Sequence, residues 1–237
     1  MLKCSVCGND NDDFAVICSS CGSFVQTTIQ MLDLFAIIWG LIEAPRATFR
    51  RIALAKRKTY VWLLSSLSGI YVAFLVFRLE NLAHQLPDFI LFAAGFASGL
   101  PVGLLCVSFI ACVGLFFAKI VGGRGKLKNN IAVTSYAMGP LTFLLVFVFP
   151  VELALFGINL FGENPSPMII RPAMYRLLLG FDAAGLFWSF LLLGEGMAVA
   201  NSVSRWKGYV VAFLAVGFFL GGAALINVME PHGPSVI

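Results

Sequence analysis

The residue types best suited to chemistry stand near the N-terminus, as Cys4-Ser-Val-Cys7-Gly8 and, with ten residues between Cys7 and Cys18, Cys18-Ser-Ser-Cys21-Gly22. Two Cys-x-x-Cys-Gly turns at this separation aim two pairs of thiolates at one centre. Four soft thiolates favour a tetrahedral zinc ion. Glycine after the second cysteine suits a turn with positive φ, which leaves amides free to donate to sulfur. A redox dithiol or two structural disulfides would use the same residues, but a thioredoxin-type site needs one Cys-x-x-Cys within a βαβ pattern, and none flanks these. The reading is one structural Zn2+ held by Cys4, Cys7, Cys18 and Cys21 in a ribbon over residues 1–23. So small a module has little core, and the metal largely supplies its folding energy. Four protein ligands leave no open position for metal-assisted catalysis. Zinc thiolates with no signal peptide before them imply a reducing cytosol. Asp10, Asp12 and Asp13 against Lys3 make the ribbon mildly acidic, so nucleic acid is not the expected partner.

A second set of candidates is acidic and lies in apolar surroundings, where a charge marks a functional site by default. At about 1.5 Å per residue, Glu152 falls ~30 Å from the inner start of its helix, at the outer surface. Glu195 falls ~29 Å from Arg176, near the inner face and within reach of Arg205 or Lys119. Asp182 alone is submerged, roughly 9 Å in. Asp182 and Glu195 are therefore the candidate intramembrane polar site. A proton or cation relay is one role for Asp182, and a structural carboxyl paired with Arg171 or Arg176 is the plainer one. Enzyme templates fail one by one. The two histidines, His84 and His232, lie in outer segments, so His-Glu-x-x-His is missing, and an aspartyl dyad lacks its second deep aspartate. Gly122-Gly-Arg-Gly-Lys126 invites a phosphate-loop reading, but Leu127 stands where Ser or Thr must bind magnesium, and no strand precedes it.

These residues are set in a chain of 237 residues that is 59% hydrophobic and only 12% charged, about half the usual charged share of ~25%. A soluble globule is excluded, because too little polar surface remains to cover it. The organising stretch is Lys119 to Ile131, a basic glycine-rich loop between two uncharged apolar runs, Phe89 to Ala118 and Asn129 to Val151. Each run exceeds the roughly 20 residues that a helix needs to cross hydrocarbon. Five spans follow, at about 60–78, 92–118, 131–152, 176–200 and 208–229, with an outer tail over 231–237. Thirteen of the sixteen Lys and Arg then fall on one side and only Arg78, Arg171 and Arg176 on the other, which makes the first side cytoplasmic. The N-terminus is thus cytoplasmic and the C-terminus outside. Residues 24–58 form a linker, an interfacial helix with Trp39 at headgroup level, and a basic segment with Arg46, Arg50, Arg51, Lys56, Arg57 and Lys58. Those charges serve topology or an anionic-lipid or partner face; Arg124, Lys126 and Lys128 of the loop offer the same choice for lipid headgroups. Gly95, Gly99 and Gly103 on the second span, and Gly217 and Gly221 on the fifth, are spaced by four for close helix packing. Pro101 predicts a kink in the second span.

Gly122, Gly123 and Gly125 followed by Tyr136 and Pro140, the approach Pro45 to Phe49, and the hairpin from Trp188 to Lys207 together resemble the Yip1 family of five-span membrane proteins, over roughly residues 44 to 229. The ribbon resembles the zinc knuckle that accompanies this domain in prokaryotic chains. Eukaryotic members of the family are associated with Rab-type GTPases and the shaping of vesicle-forming membranes. The resemblance implies a bacterial or archaeal cytoplasmic membrane for this chain. The expected fold is an all-α integral membrane bundle of five helices with a small cytosolic zinc ribbon. The expected role is a non-enzymatic scaffold or adaptor that organises lipids or partner proteins, itself open to homo-oligomers, with the ribbon docking a cytosolic partner. The alternative is a small transporter or channel for an ion or lipid-like solute that uses Asp182.

Overall fold

The computed structural model describes residues 2–12, 15–25, 32–55 and 57–229. Asp13, Lys56, most of the linker and the outer tail with His232, which the sequence reading used, lie outside them.

The ribbon is two similar turns. Strands β1 (Leu2–Lys3) and β2 (Asp10–Asn11) pair antiparallel with Leu2 opposite Asn11, framing the first Cys-x-x-Cys turn. An isolated bridge between Ile17 and Phe24 frames the second. Helix α1 (Leu34–Glu43) starts on the Asp33 side chain, which accepts from the Phe35 amide, and stops before Pro45. Pro45 opens helix α2 (Pro45–Leu54), where its missing N–H costs nothing. On α2, Thr48, Phe49 and Ile52 are buried, while Arg46, Arg50 and Arg51 face outward. On α1, Phe35, Ile38, Trp39 and Ile42 stay exposed, an unpartnered apolar face as an interfacial helix would present. An ion pair from Arg50 Nη2 to Asp12 Oδ2, at 2.7 Å, joins ribbon to α2.

Among the described residues, four helical stretches are long and apolar enough to cross a membrane: Val61–Leu79 (α3), Asp88–Ile120 (α4), Leu127–Phe161 and Pro172–Ala200 (α9). A fifth helix, α10 (Arg205–Met229), closes the bundle. Helix α4 runs unbroken through Pro101. The third stretch is not a single α-helix. It comprises α5 (Leu127–Ala137), α6 (Gly139–Phe143), a π turn at Leu144–Val148, α7 (Phe149–Phe156) and a 3-10 turn at Gly157–Phe161. Pro140 and Pro150 each remove a helical donor here, and the widened turn lies between them. A short helix, α8 (Pro167–Ile170), leads into α9.

Helices α3 and α4 touch backbone to backbone. An added Cβ at Gly103 would stand 2.0 Å from the Ser65 carbonyl oxygen, one at Gly69 2.2 Å from Gly103 Cα, and one at Gly99 2.4 Å from Ile70 Cα. Gly95 makes room for the Phe74 ring. Gly217 and Gly221 behave differently: no atom lies within 4 Å of a Cβ built on either. The packing expected of them within the chain is therefore not found among the described residues; that face of α10 is open. Two cores result. One, at the basic end, gathers Phe49, Ile52, Val133, Tyr136, Leu193, Met197 and Val211; the other, at the far end, is built on Phe74, Leu91, Phe149, Phe156 and Phe161.

Candidate functional site

Three polar centres are built into this frame, one in the ribbon and one at each end of the bundle.

In the ribbon the four sulfur atoms lie within 4.8 Å of one another, with Cys4 and Cys21 3.6 Å apart and Cys7 and Cys18 3.5 Å apart. Four thiolates about 2.3 Å from one tetrahedral ion stand about 3.8 Å apart, so the set fits a metal ion. Gly8 and Gly22, both at φ +72°, turn the chain after each pair. The Ser23 hydroxyl lies 3.0 Å from both Cys4 Sγ and Cys21 Sγ. It is the main cause, with the Cys7 and Val6 amides, that brings the Cys4 thiol down to about 6. Cys18 is also lowered, by the amides of Cys21 and Ser20. At Cys7 the Asn9 amide favours the thiolate, yet the neighbouring sulfurs of Cys21 and Cys18 outweigh it and push the group up to about 12. Asn11, which sequence reasoning missed, knits the two turns together. Its buried amide donates to Asn9 O at 2.9 Å and Cys18 Sγ at 3.5 Å, and its Oδ1 accepts from the Ser19 amide at 2.9 Å.

At the basic end the glycine-rich loop is tied down. Gly122 sits at φ +89°, the Gly123 amide donates to Ala118 O at 2.8 Å, and the Arg124 amide donates to Asn201 O at 3.0 Å. Asn130 and Asn201, both fully buried, exchange side-chain amide bonds of 3.1 and 2.8 Å. A Cβ at Gly125 would meet Asn201 Oδ1 at 2.0 Å, so this glycine is what lets the loop close on the α9–α10 turn. Arg124, Lys126 and Lys128 are exposed on its rim. Tyr136 donates to Thr59 O at 2.5 Å and Ser135 to Val61 O at 2.8 Å, fastening the α2–α3 junction where Tyr60 takes φ +65°. Lys58 caps α2 by donating to Ala53 O at 2.8 Å; burial, helped by Lys128, brings its ammonium down to about 8. Glu195 pairs with Arg205 Nε at 3.0 Å, one of the two partners its position allowed.

The far end corrects the sequence reading in three places. Glu152 is 1% exposed, turned into the bundle rather than out to solvent, and the helical stretch that carries it continues to Phe161. Asp182 is 3% exposed, but its partners are neither Arg171 nor Arg176. Arg78, read as an interfacial charge closing the first span, turns inward. Its Nη1 donates to Glu152 Oε1 and to Asp182 Oδ2, each at 3.1 Å. The Tyr71 hydroxyl donates to Asp182 Oδ1 at 2.8 Å, and the Tyr175 ring stands 5.0 Å from the guanidinium carbon. Asp182 and Glu195 are thus not one site but belong to opposite ends of the bundle. The cavity beside Arg78, Glu152 and Asp182, walled by Phe74, Phe149 and Phe161, is about 10 Å3, room for a single water.

Comparison with known proteins agrees with this architecture. No curated protein and no solved structure matches the chain. The Yip1 domain model matches residues 39–226, from α1 through α10, and takes in the basic-end loop, the Tyr136 clamp and the Arg78 cluster. With helices apolar enough to make it a multi-pass membrane protein, and with a four-cysteine module ahead of them, the chain belongs to the Yip1 domain family.

Proposed function

We propose that this chain is a non-enzymatic membrane scaffold or adaptor of the Yip1 type. The bundle organises membrane lipids or partner helices, and the ribbon, with one structural zinc ion on Cys4, Cys7, Cys18 and Cys21, docks a cytosolic protein. Zinc is the natural occupant of four soft thiolates in a closed tetrahedral set. The chain sits in a cytoplasmic membrane with the basic end and the N-terminus on the cytoplasmic side and the C-terminus outside, a reading the placement of its cations supports.

The observation that carries this reading is that the buried polar groups at the far end are bonded to one another. Arg78, Glu152, Asp182 and Tyr71 are engaged with one another beside a cavity of about 10 Å3, whereas a transport pathway needs polar groups that face a passage wide enough for the solute. The test uses the purified chain in proteoliposomes and in cells. Scaffolding predicts proton and cation fluxes equal to those of empty liposomes, for wild type and Asp182→Asn alike. In cells, a photo-crosslinker at exposed Val6 should give discrete protein adducts that disappear with Cys18→Ser, which should also lose its one zinc per chain by elemental analysis. A coupled flux that Asp182→Asn abolishes would overturn the scaffold in favour of a transporter.

A further inference from the structure

The far-end cluster is one charge short. Fully ionised, Arg78 contributes one positive charge and Glu152 and Asp182 two negative ones, and both carboxylates bond the same Arg78 nitrogen. The two bonded carboxylate oxygens are consequently no more than about 6 Å apart, in a part of the bundle walled by Phe74, Phe149, Leu160 and Phe161. Against a single cation in apolar surroundings, such a pair leaves one negative charge unbalanced. The other titratable groups facing the cluster do not supply the missing charge. From α3 comes the Tyr71 hydroxyl, already donating to Asp182; from α9 comes Tyr175, which offers a ring face to Arg78. A metal cation does not fit either. The cavity has room for one water, and Arg78 Nη2, buried without a partner, needs an acceptor such as a water oxygen and repels a cation.

We propose that Glu152 and Asp182 together bind one proton, which makes the Arg78 cluster a neutral protonation site between α3, α7 and α9. The step is simple: a carboxylate oxygen of the pair takes a proton from water and forms a carboxylic O–H, and the site returns to a net charge of minus one when the proton leaves. Arg78 is the penultimate residue of α3 and its side chain is 11% exposed, so the proton enters and leaves at that one end of the bundle. Losing the proton leaves Glu152 of α7 and Asp182 of α9 as two like charges held across Arg78 of α3. This inference does not rest on the scaffold reading.

The test is infrared spectroscopy of the full chain in lipid vesicles, following the carboxylic C=O stretch from neutral to alkaline pH. One protonated carboxyl per chain is expected at neutral pH, titrating away as the pH rises. Glu152→Gln and Asp182→Asn should each abolish the band, because Arg78 with a single carboxylate is already neutral. Arg78→Gln should double it, and Glu195→Gln, at the other end, should leave it unchanged. A wild-type chain with no such band at neutral pH overturns the proposal, as does a band lost in Glu195→Gln. Should the cluster variants fail to fold, the wild-type titration and Glu195→Gln still decide the matter.

Discussion

Arg78 is the residue on which the far half of the bundle depends. Removing one member of a buried ion cluster strands the others, at a cost of about 3–5 kcal/mol. Arg78→Gln should therefore lower thermal stability in lipid or mild detergent far more than Arg171→Gln or Arg176→Gln, as read by the unfolding midpoint. This residue also shows where sequence reading stops. Asp182 was visible as a buried acid because it stands alone in an apolar run. Its partner was not, because a long arginine at a helix end can snorkel outward or fold inward with the same sequence around it. Glu152 was placed by counting the rise along its helix, and that count does not say whether the side chain faces solvent or the bundle interior. The four cysteines were fully legible, since their spacing alone brings them to one centre, but Asn11, Ser19 and Ser23 around them were not. Polar residues of those types are unremarkable until the turns are seen to touch.

Among elements, the α3–α4 contact is the tightest. Gly103→Val would force a side chain into the Ser65 carbonyl and the Gly69 backbone. The helices must separate, with a loss on the order of 2 kcal/mol or more, measurable as a lower unfolding midpoint. Gly217→Val on α10, where no atom lies within 4 Å, should be close to silent in the same assay. The glycine repeat on α4 was readable from its period of four; that on α10 has the same period and no partner in the chain. Spacing reports the capacity for close approach, and only the packing reports its use. At the other end, Gly125→Ala would drive a methyl into Asn201 Oδ1 and break the paired amides of Asn130 and Asn201, leaving buried polar groups unsatisfied at about 1–3 kcal/mol. Faster trypsin cleavage after Arg124 should follow, while wild type resists because the loop is tied to the α9–α10 turn. The third stretch was read as one helix from its apolar length. Hydropathy carries no record of the π turn and 3-10 turn that Pro140, Pro150 and Gly157 bring.

For the whole molecule, the two ends of the bundle differ in kind. The basic end carries the ribbon, the arginines of α2, the tied glycine loop and the Glu195–Arg205 pair, and offers exposed cations to whatever lies beneath it. The far end exposes charges of both signs, at Glu80, Asp88, Glu163, Arg171 and Arg176, and keeps Arg78, Glu152 and Asp182 inside. The one helical stretch between them, Leu127–Phe161, puts the loop at Arg124 and the segment at Glu163 at opposite ends of a span, and the proposed orientation has Arg124 in the cytoplasm. The direct test places a single reporter cysteine at either position, Arg124→Cys or Glu163→Cys, with Cys106 and Cys112 replaced by alanine and the four ribbon cysteines retained. Intact cells are then treated with a membrane-impermeant maleimide. Labelling of the Glu163→Cys chain in intact cells, and of the Arg124→Cys chain only after permeabilisation, is the predicted result. Labelling of Arg124→Cys from outside, or of both positions from the same side, would contradict the account.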